Sequence, residues 1–250
     1  MVARAVGNRC LVVASPEHPR LDEQDRTQTI EPMFPTVPGI VLAGGRSLRM
    51  SRVKALLPWP SSGEPFVVHV TRTLRDAGAS PVAVVTGMHH DTIAAAVAAH
   101  DIPVLFNPRH AEGQLSSLQH GLAWAFARTD GLWALMTLVD VPGVSVATVR
   151  ALLEAAATTS TALAVRPAID GRHGHPVVWR RDVLPMLAAA DPAVGARAVM
   201  HALAKDGLVA DVRVEDRGVL VDVDTVQDYE EQVRRATRPT DVGSRADHEG

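Results

Sequence analysis

Cysteine is almost missing from this sequence of 250 residues, which contains only Cys10. A single cysteine cannot form an intramolecular disulfide, and no zinc ligand set can be built around it. Long apolar runs are missing as well, since no stretch approaches the ~18 residues that a membrane-spanning helix needs. The first twenty residues lack the long apolar stretch and the small-residue cleavage site of a signal peptide. These absences predict a cytoplasmic protein that does not enter a membrane.

Neither sign of charge dominates the chain. The 25 Lys and Arg residues nearly balance the 28 Asp and Glu residues, for a formal net charge of -3. A general nucleic-acid-binding surface is therefore not expected. A hydrophobic fraction of 46% and a charged fraction of 21% are ordinary for a globular protein and suffice for one sizeable core. Positive charge is instead concentrated locally, in residues 46–54.

The composition changes near both ends of the chain. Residues 1–36 are polar and Pro-rich after "LVVAS", and residues 236–250 are similar. Because neither segment shows hydrophobic periodicity, we expect a disordered or loosely attached N-terminal extension and a disordered tail. The folded domain is predicted to run over residues 37–235, which is close to the usual size of one domain.

Strands and helices alternate along the predicted domain. "VPGIVLA" (37–43) and "LWALMTLVD" (132–140) are apolar enough for buried strands, and residues 65–78 and 113–128 carry apolar residues at helical spacing. A strand pair is predicted near 208–222. This βαβ series predicts a three-layer α/β/α fold around a mostly parallel sheet. Ligands of such sheets bind beyond the carboxyl ends of the strands, which here are Gly44 and Gly45, Thr86 and Gly87, Asn107, and Asp140.

The stretch "LAGGRSLRMSRVK" (42–54) follows the first strand directly. Gly44 and Gly45 lack Cβ atoms, so their backbone N–H groups can approach an oxygen-rich ligand closely. Arg49 and Lys54 add the charge that phosphates bind. The stretch fits neither the P-loop nor the dinucleotide fingerprint. It predicts a nucleoside triphosphate site, with a tight turn carrying solvated basic residues as the alternative.

Carboxylates follow two predicted strands. Asp140 ends an apolar strand and suits Mg²⁺ when a substrate phosphate supplies further oxygens, although a turn or helix-cap Asp before Pro142 is the alternative. In "DVD" (222–224), strand alternation would place both aspartates on one side. We favour Asp222 as the metal ligand and Asp224 as the start of the last helix.

Hydroxyl and imidazole groups mark two further loops. Ser116 and Ser117 lie in the first turn of a predicted helix, where free N–H groups favour an anion, and capping alone would explain one serine rather than two. His173 and His175 in "GRHGHP" lack an evident third ligand, so a substrate-contacting loop is favoured over a transition-metal site.

Taken together, these segments resemble the MobA/MocA-like nucleotidyltransferases, most closely the molybdenum cofactor cytidylyltransferase branch. The family opening, approximately L-A-x-G-x-[SG]-x-R-M-G-x-x-K, is similar to "LAGGRSLRMSRVK", and "KALLP" continues the match. "EGQLSSLQHGL", "LVDVPGVSVATV", "GHPVVWRRDVLPML", "VGAR" and "VDVDTVQDYE" follow in the family's order. The resemblance implies a Rossmann-like sheet of the nucleotide-diphospho-sugar transferase type over residues 37–235.

The resemblance also implies roles for individual residues. Arg49 and Lys54 would contact the triphosphate, and Asp140 would be a catalytic Mg²⁺ ligand with Asp222 as the second metal-side position. Nucleotide binding would fall on Leu42, Ala43, Gly44, Gly45, Thr86 and Gly87. The acceptor side would be formed by Ser116, Ser117 and His175.

The implied reaction is transfer of an NMP unit to a phosphorylated pterin-type acceptor, the molybdenum cofactor, with a molybdoenzyme as the eventual recipient. "KALLP" and "GHP" favour CTP, whereas Gly44 in "LAGG" is closer to the guanylyl branch. Ser51 and Val139 depart from the glycines that the family has at those positions. They motivate one alternative, a non-catalytic cofactor-binding or maturation protein. An oxidoreductase on the same scaffold is the other, and it has no nicotinamide or flavin fingerprint here.

Overall fold

The computed structural model describes residues 36–45 and 52–237. The predicted N-terminal extension, apart from its last residue, and nearly all of the predicted tail lie outside the described residues, so both stay predictions. No helix in the described ranges is both long enough and apolar enough to cross a membrane.

A central sheet organises the described residues. Its eight strands are β1 (Gly39–Ala43), β2 (Val82–Thr86), β3 (Val104–Phe106), β4 (Trp133–Leu138), β5 (Ala164–Ile169), β6 (Arg172–His173), β7 (Val177–Arg180) and β8 (Val209–Arg213). The strand order is β3-β2-β1-β4-β7-β5-β6, and β8, which is not part of this series, pairs with β5. Strands β1 to β4 are mutually parallel, and β8 is parallel to β5, whereas β7 runs antiparallel to both β4 and β5. The predicted mostly parallel sheet is confirmed.

Helices cover both faces of the sheet. The seven helices in the described ranges are α1 (Phe66–Asp76), α2 (His90–Val97), α3 (Gln114–Phe126), α4 (Val146–Thr158), α5 (Leu184–Ala189), α6 (Ala196–Lys205) and α7 (Val226–Thr237). Strand β1 shows the layering, because Val41 and Ala43 pack with the residues of α1, α2 and α4, while Ile40 and Leu42 pack with those of α3, α5 and α6. Two apolar cores on opposite faces of one sheet make the predicted three-layer α/β/α fold.

Two helices show how the local sequence sets the elements. In α3 the predicted apolar face is buried, and Gly121 lets the helix approach β1, since an added Cβ would lie 2.6 Å from Ile40 Cγ2. Helix α1 ends before Gly78, whose φ of 104° reverses the chain where other residues would be strained.

One predicted element is wrong. Only β8 forms in the region where a strand pair was expected, and a 3-10 turn (Arg217–Leu220) follows it. The reason is that this segment bonds to neighbouring loops instead of a strand. The Val219 carbonyl accepts from His175 N–H at 3.1 Å, and Val223 N–H donates to the Asp140 carbonyl at 2.8 Å.

Candidate functional site

A cavity of about 380 Å³ opens at the carboxyl ends of β1 and β4. It lies at the edge where parallel α/β sheets bind ligands. The predicted site residues that line it are Leu42, Ala43, Gly44, Gly45, Lys54, Ser117 and Asp140. Residues that precede and follow positions 46–51 in the sequence, and residues from a segment more than eighty positions further along, therefore converge on one cavity. Arg49 lies outside the described residues, so its role stays a prediction.

The two glycines after β1 meet different surroundings. A Cβ added to Gly44 would lie 3.1 Å from Ser117 Oγ, whereas a Cβ added to Gly45 would have no atom within 4 Å. A side chain at Gly44 would therefore press on α3 and narrow the cavity. The absence of a side chain is needed at Gly44 more than at Gly45.

Lys54 lies between two carboxylates at the cavity wall. It begins a 3-10 turn (Lys54–Leu56), and its Nζ lies 3.0 Å from Asp140 Oδ2 and 2.6 Å from Asp224 Oδ1. Burial alone would lower the pKa of Lys54, but the hydrogen bonds and charges of Asp224 and Asp140 outweigh it and raise the pKa above its ordinary value. Lys54 is therefore a cation at neutral pH, and it is held in place by both carboxylates.

Asp140 keeps one oxygen without a partner. Its Oδ2 accepts from Lys54, but its Oδ1 is buried and accepts no hydrogen bond within the described residues. The helix-cap alternative is excluded, because Ser145 caps α4 and accepts from Thr148 N–H; Asp140 does lie in the turn that follows β4. A buried, unpaired carboxylate oxygen is costly without a partner and suits a cation ligand.

Asp224 lies at the candidate site, although the sequence reasoning favoured it as the start of the last helix. Helix α7 begins at Val226, two residues after Asp224, because Thr225 and Asp228 cap each other: Thr225 N–H donates to Asp228 Oδ2 at 2.7 Å, and Asp228 N–H donates to Thr225 Oγ1 at 3.2 Å. This reciprocal capping leaves the Asp224 side chain to bond with Lys54. The signal was present in "TVQD", which places the cap at Thr225 rather than at Asp224.

Asp222 lies in the same loop and is exposed to solvent. Partial desolvation together with the negative charges of Asp140 and Asp224 raises its pKa. Asp222 is therefore close enough to Asp140 and Asp224 for their charges to interact. Residues 222–224 do not form the expected strand. No group of three or more His, Cys, Asp or Glu side chains in the described ranges is arranged to hold a metal by itself.

Asp140, Asp222 and Asp224, here called the acidic wall, are held in place by three loops that pack closely together. An added Cβ at Gly218 would lie 2.1 Å from the Gly143 carbonyl oxygen, and one at Gly174 would lie 1.8 Å from the Val219 carbonyl oxygen. The 216–224 loop therefore contacts both the loop after β4 and the loop before β7. Half-buried His175 lies in the latter, where burial lowers its pKa and the charge of Asp140 opposes that effect.

The two serines of α3 differ in what they can bind. Asn107, which is 1% exposed, donates through Nδ2 to Ser116 Oγ at 2.9 Å and to Ser117 Oγ at 3.0 Å. Ser116 in turn donates to the carbonyls of Arg109 and Gly113, and it does not line the cavity. Ser117 accepts from Asn107 beside Gly44, which leaves its O–H for a ligand. The helix cap is Gly113 rather than a serine.

Thr86 and Gly87 lie next to the cavity rather than in its lining. The Thr86 hydroxyl is 2.7 Å from His90 Nδ1 and donates to the Leu105 carbonyl at 3.2 Å. Gly87 lines a second, more open cavity of about 520 Å³ with Phe106 and His110, and His110 lines both cavities. The contact of Thr86 and Gly87 with the nucleotide therefore stays a prediction.

The fold and the site together define a nucleotidyltransferase-type α/β protein, with a glycine-lined cavity that faces a lysine and several carboxylates. Residues 39–207 match the family model described as "MobA-like NTP transferase domain". The chain therefore belongs to this family, as the resemblance implied.

Curated relatives and solved structures extend this assignment. The chain is 31% identical over 200 residues to the nicotine blue oxidoreductase of Paenarthrobacter nicotinovorans, which covers 78% of this chain and 95% of that protein. It is 31% identical over 197 residues to a probable molybdenum cofactor guanylyltransferase of Mycobacterium marinum, covering 78% and 92%. Rv0371c from Mycobacterium tuberculosis H37Rv superimposes with a TM-score of 0.66 at 26% identity, and its manganese complex with 0.64 at 25%, each over 80% of this chain and 98% of that one.

Proposed function

We propose that this chain is a Mg²⁺-dependent nucleotidyltransferase that joins an NMP unit to a phosphorylated acceptor, the molybdenum cofactor, and releases pyrophosphate. The observation that carries the proposal is the cationic Lys54 held between Asp140 and Asp224 at a glycine-lined cavity. The family and the printed names of relatives such as the Mycobacterium marinum protein support the reaction type and the acceptor.

The proposed chemistry requires charge neutralisation rather than proton transfer. An oxygen of the acceptor's terminal phosphate attacks the α-phosphorus of the triphosphate, and the bond to the β-phosphate oxygen breaks, so that pyrophosphate leaves with that electron pair. A phosphate monoester is already ionised near neutral pH, so no general base is needed. The site must instead offset the repulsion between anions and align them.

The residues of the cavity fit these requirements. Lys54, whose ammonium group is held at the cavity wall, would neutralise the α-phosphate. Gly44 and Gly45 would bring the backbone close to the nucleotide. Ser117, which the resemblance assigned to the acceptor side, would instead donate its O–H to the nucleotide, because it lies beside Gly44. Arg49 would bind the leaving pyrophosphate, as the resemblance implies.

The carboxylates would hold the metal ion. Asp140 offers the buried, unpaired Oδ1, and Asp222 and Asp224 lie in the same electrostatic site. Mg²⁺ held by these carboxylates would supply positive charge to the transferring phosphoryl group. The manganese complex of the similar Rv0371c supports a divalent metal in this fold.

The nucleobase is proposed to be cytosine, with guanine as the alternative. "KALLP" and "GHP" support CTP, whereas the name of the Mycobacterium marinum relative and "LAGG" support GTP. The acceptor would approach from the side of His175, which lies within electrostatic reach of Asp140. A molybdoenzyme would receive the product.

Pyrophosphate release tests this function. Purified protein, Mg²⁺ and molybdopterin are combined with CTP, GTP, ATP or UTP in turn, and we expect release with CTP. Lys54→Ala and Asp140→Ala should each reduce turnover by about 10²–10³-fold while the protein stays folded, because such electrostatic stabilisation is typically worth that much. Unchanged turnover in either variant would refute the roles assigned to these residues.

A second candidate is an oxidoreductase on the same scaffold. The similarity to nicotine blue oxidoreductase over 95% of that protein favours it. The absorption spectrum of the purified protein would reveal a bound flavin, and oxidation of reduced nicotinamide cofactors can be followed directly. Redox turnover without pyrophosphate release would replace the transferase proposal, and binding of the molybdenum cofactor without either activity would favour a maturation protein.

A further inference from the structure

We propose that His69 is a positioning residue that fixes the loop carrying Asp140, as part of a cluster that also anchors the loops carrying Lys54 and Asp224. The cluster, here called the aromatic brace, consists of Trp59, Phe66, His69 and Tyr229. None of the four lines the cavity. The inference rests on the proposed function for its kinetic test only.

His69 contacts the Asp140 loop directly. It projects from α1 and is half-buried, and its Nε2 lies 3.2 Å from the carbonyl oxygen of Pro142, two residues after Asp140. Because a carbonyl only accepts, Nε2 must carry the proton and donate it. Arg72 lies 3.5 Å from Nδ1 and pairs with Glu64 at 2.7 Å, so a donor faces the other ring nitrogen.

This arrangement fixes the protonation of the ring. Burial lowers the pKa of His69, and the charge of Arg72 lowers it further against the weaker effects of Pro142 and Glu64. The ring is therefore neutral at neutral pH, with Nε2–H as the donor to the Asp140 loop. A glutamine amide can present an N–H in the place of Nε2–H, whereas leucine cannot.

A second contact of His69 connects it to the segment that follows Lys54. The Trp59 ring stacks on the His69 ring, with centroids 5.3 Å apart and planes at 25°, and Trp59 follows Lys54 by five residues. Trp59 also meets the fully buried Phe66 edge-on at 5.8 Å. One imidazole thus touches both the segment after Lys54 and the segment after Asp140.

Tyr229 connects the third loop to the same cluster. Its hydroxyl donates to the Pro58 carbonyl at 2.8 Å, and its ring lies 6.1 Å from that of Phe66. Tyr229 belongs to α7, which begins directly after the loop of Asp224. The brace therefore links the three segments that carry Asp140, Lys54 and Asp224.

The rate of nucleotidyl transfer depends strongly on how the reacting groups are aligned, and this sets the expected effect of a His69 substitution. A displacement of about 1 Å in a reacting group can cost on the order of 10²-fold in rate even when the mutation is remote. Loss of the His69 donor should let the Asp140 loop shift while the part of the cavity lining formed by Gly44, Gly45 and Ser117 stays intact. We expect kcat to fall and KM for the nucleotide to change little.

The test compares His69→Leu, His69→Gln and Tyr229→Phe with His201→Leu, an exposed histidine on α6 that serves as the matched control. His69→Leu should lose roughly 10²-fold in kcat with an unchanged KM. His69→Gln and the control should stay close to the parent protein, and Tyr229→Phe should show a smaller kcat loss. Equal losses in the Leu and Gln variants, or a loss confined to KM, would overturn the proposal.

Amide hydrogen exchange provides an arm that needs no activity. Val223 N–H donates to the Asp140 carbonyl, so its protection reports the packing of the two acidic loops. Protection should fall in His69→Leu and be retained in His69→Gln and His201→Leu. If the parent protein releases no pyrophosphate but the variants show this pattern of protection, the transferase proposal is refuted and the brace is supported. Retained protection in His69→Leu would refute the brace.

Discussion

Removing the ammonium group of Lys54 should destabilise the protein as well as inactivate it. The Lys54→Met substitution keeps much of the side chain's length but leaves Asp140 and Asp224 without the cation between them. At 3.0 Å, a unit charge pair with an effective dielectric constant near 20 interacts by about 5.5 kcal/mol before desolvation is subtracted. The contribution from Asp224 must be discounted, since that side chain is 42% exposed, whereas Asp140 is only 23% exposed.

Breaking a buried pair by removing one partner costs ~3–5 kcal/mol, so partial exposure places the expected loss near 3 kcal/mol. Denaturant unfolding measures it, and Lys205→Met is the matched control because the sequence contains only these two lysines and Lys205 is exposed. The control should stay within about 0.5 kcal/mol of the parent protein. A loss below about 1 kcal/mol in Lys54→Met, with an unchanged m-value, would refute a tightly held ammonium group.

The pH dependence of this effect has a definite sign. The pKa of Lys54 is raised in the folded protein, so its contribution is complete below the ordinary value of 10.5 and is lost as pH rises through the higher folded value. As pH rises from neutrality, the stabilities of the parent protein and of Lys54→Met should therefore converge in strongly alkaline solution. A difference that disappears near neutral pH would contradict the assignment.

Three further predictions concern neighbouring contacts. Asp224→Asn should lower the pKa of Lys54, which NMR of lysine-labelled protein can follow because only two lysines are present, and an unchanged pKa would contradict the 2.6 Å contact. Ser117→Ala should weaken nucleotide binding about fivefold in calorimetry, the value of one hydrogen bond, whereas Ser116→Ala should instead lower the free energy of unfolding by about 1 kcal/mol; equal binding losses would refute the distinction. Gly218→Ala should lower the melting temperature by several degrees, since its Cβ would lie 2.1 Å from a carbonyl oxygen, and unchanged melting would refute that close packing.

Much of the fold could be predicted because local periodicity determines it. Leu115, Leu118, Leu122 and Phe126 repeat at helical spacing, and all four are buried against the sheet. The approach of Lys54 to Asp140 also followed from a general rule, since both lie beyond the carboxyl ends of adjacent parallel strands.

The remaining features depend on contacts that local pattern does not encode. Asp224 reaches Lys54 across 170 residues of sequence, and its availability depends on a different pair, Thr225 and Asp228, capping α7. The sequence around Val219 alternates like a strand, but its backbone bonds to two loops that are distant in sequence. Asn107 likewise becomes informative only once its amide is seen to hold both serines of α3.

The interlocking of the 216–224 loop has a consequence for how the molecule is made. The stretch that matches the family model stops at residue 207, before Asp222 and Asp224. A nascent chain emerging from the ribosome could pair its strands while Asp222 and Asp224 are still missing from the site, because the 216–224 segment is translated after every strand of the described sheet. The full set of carboxylates around Lys54 would therefore assemble only after residue 224 has emerged and Gly218 packs against Gly143.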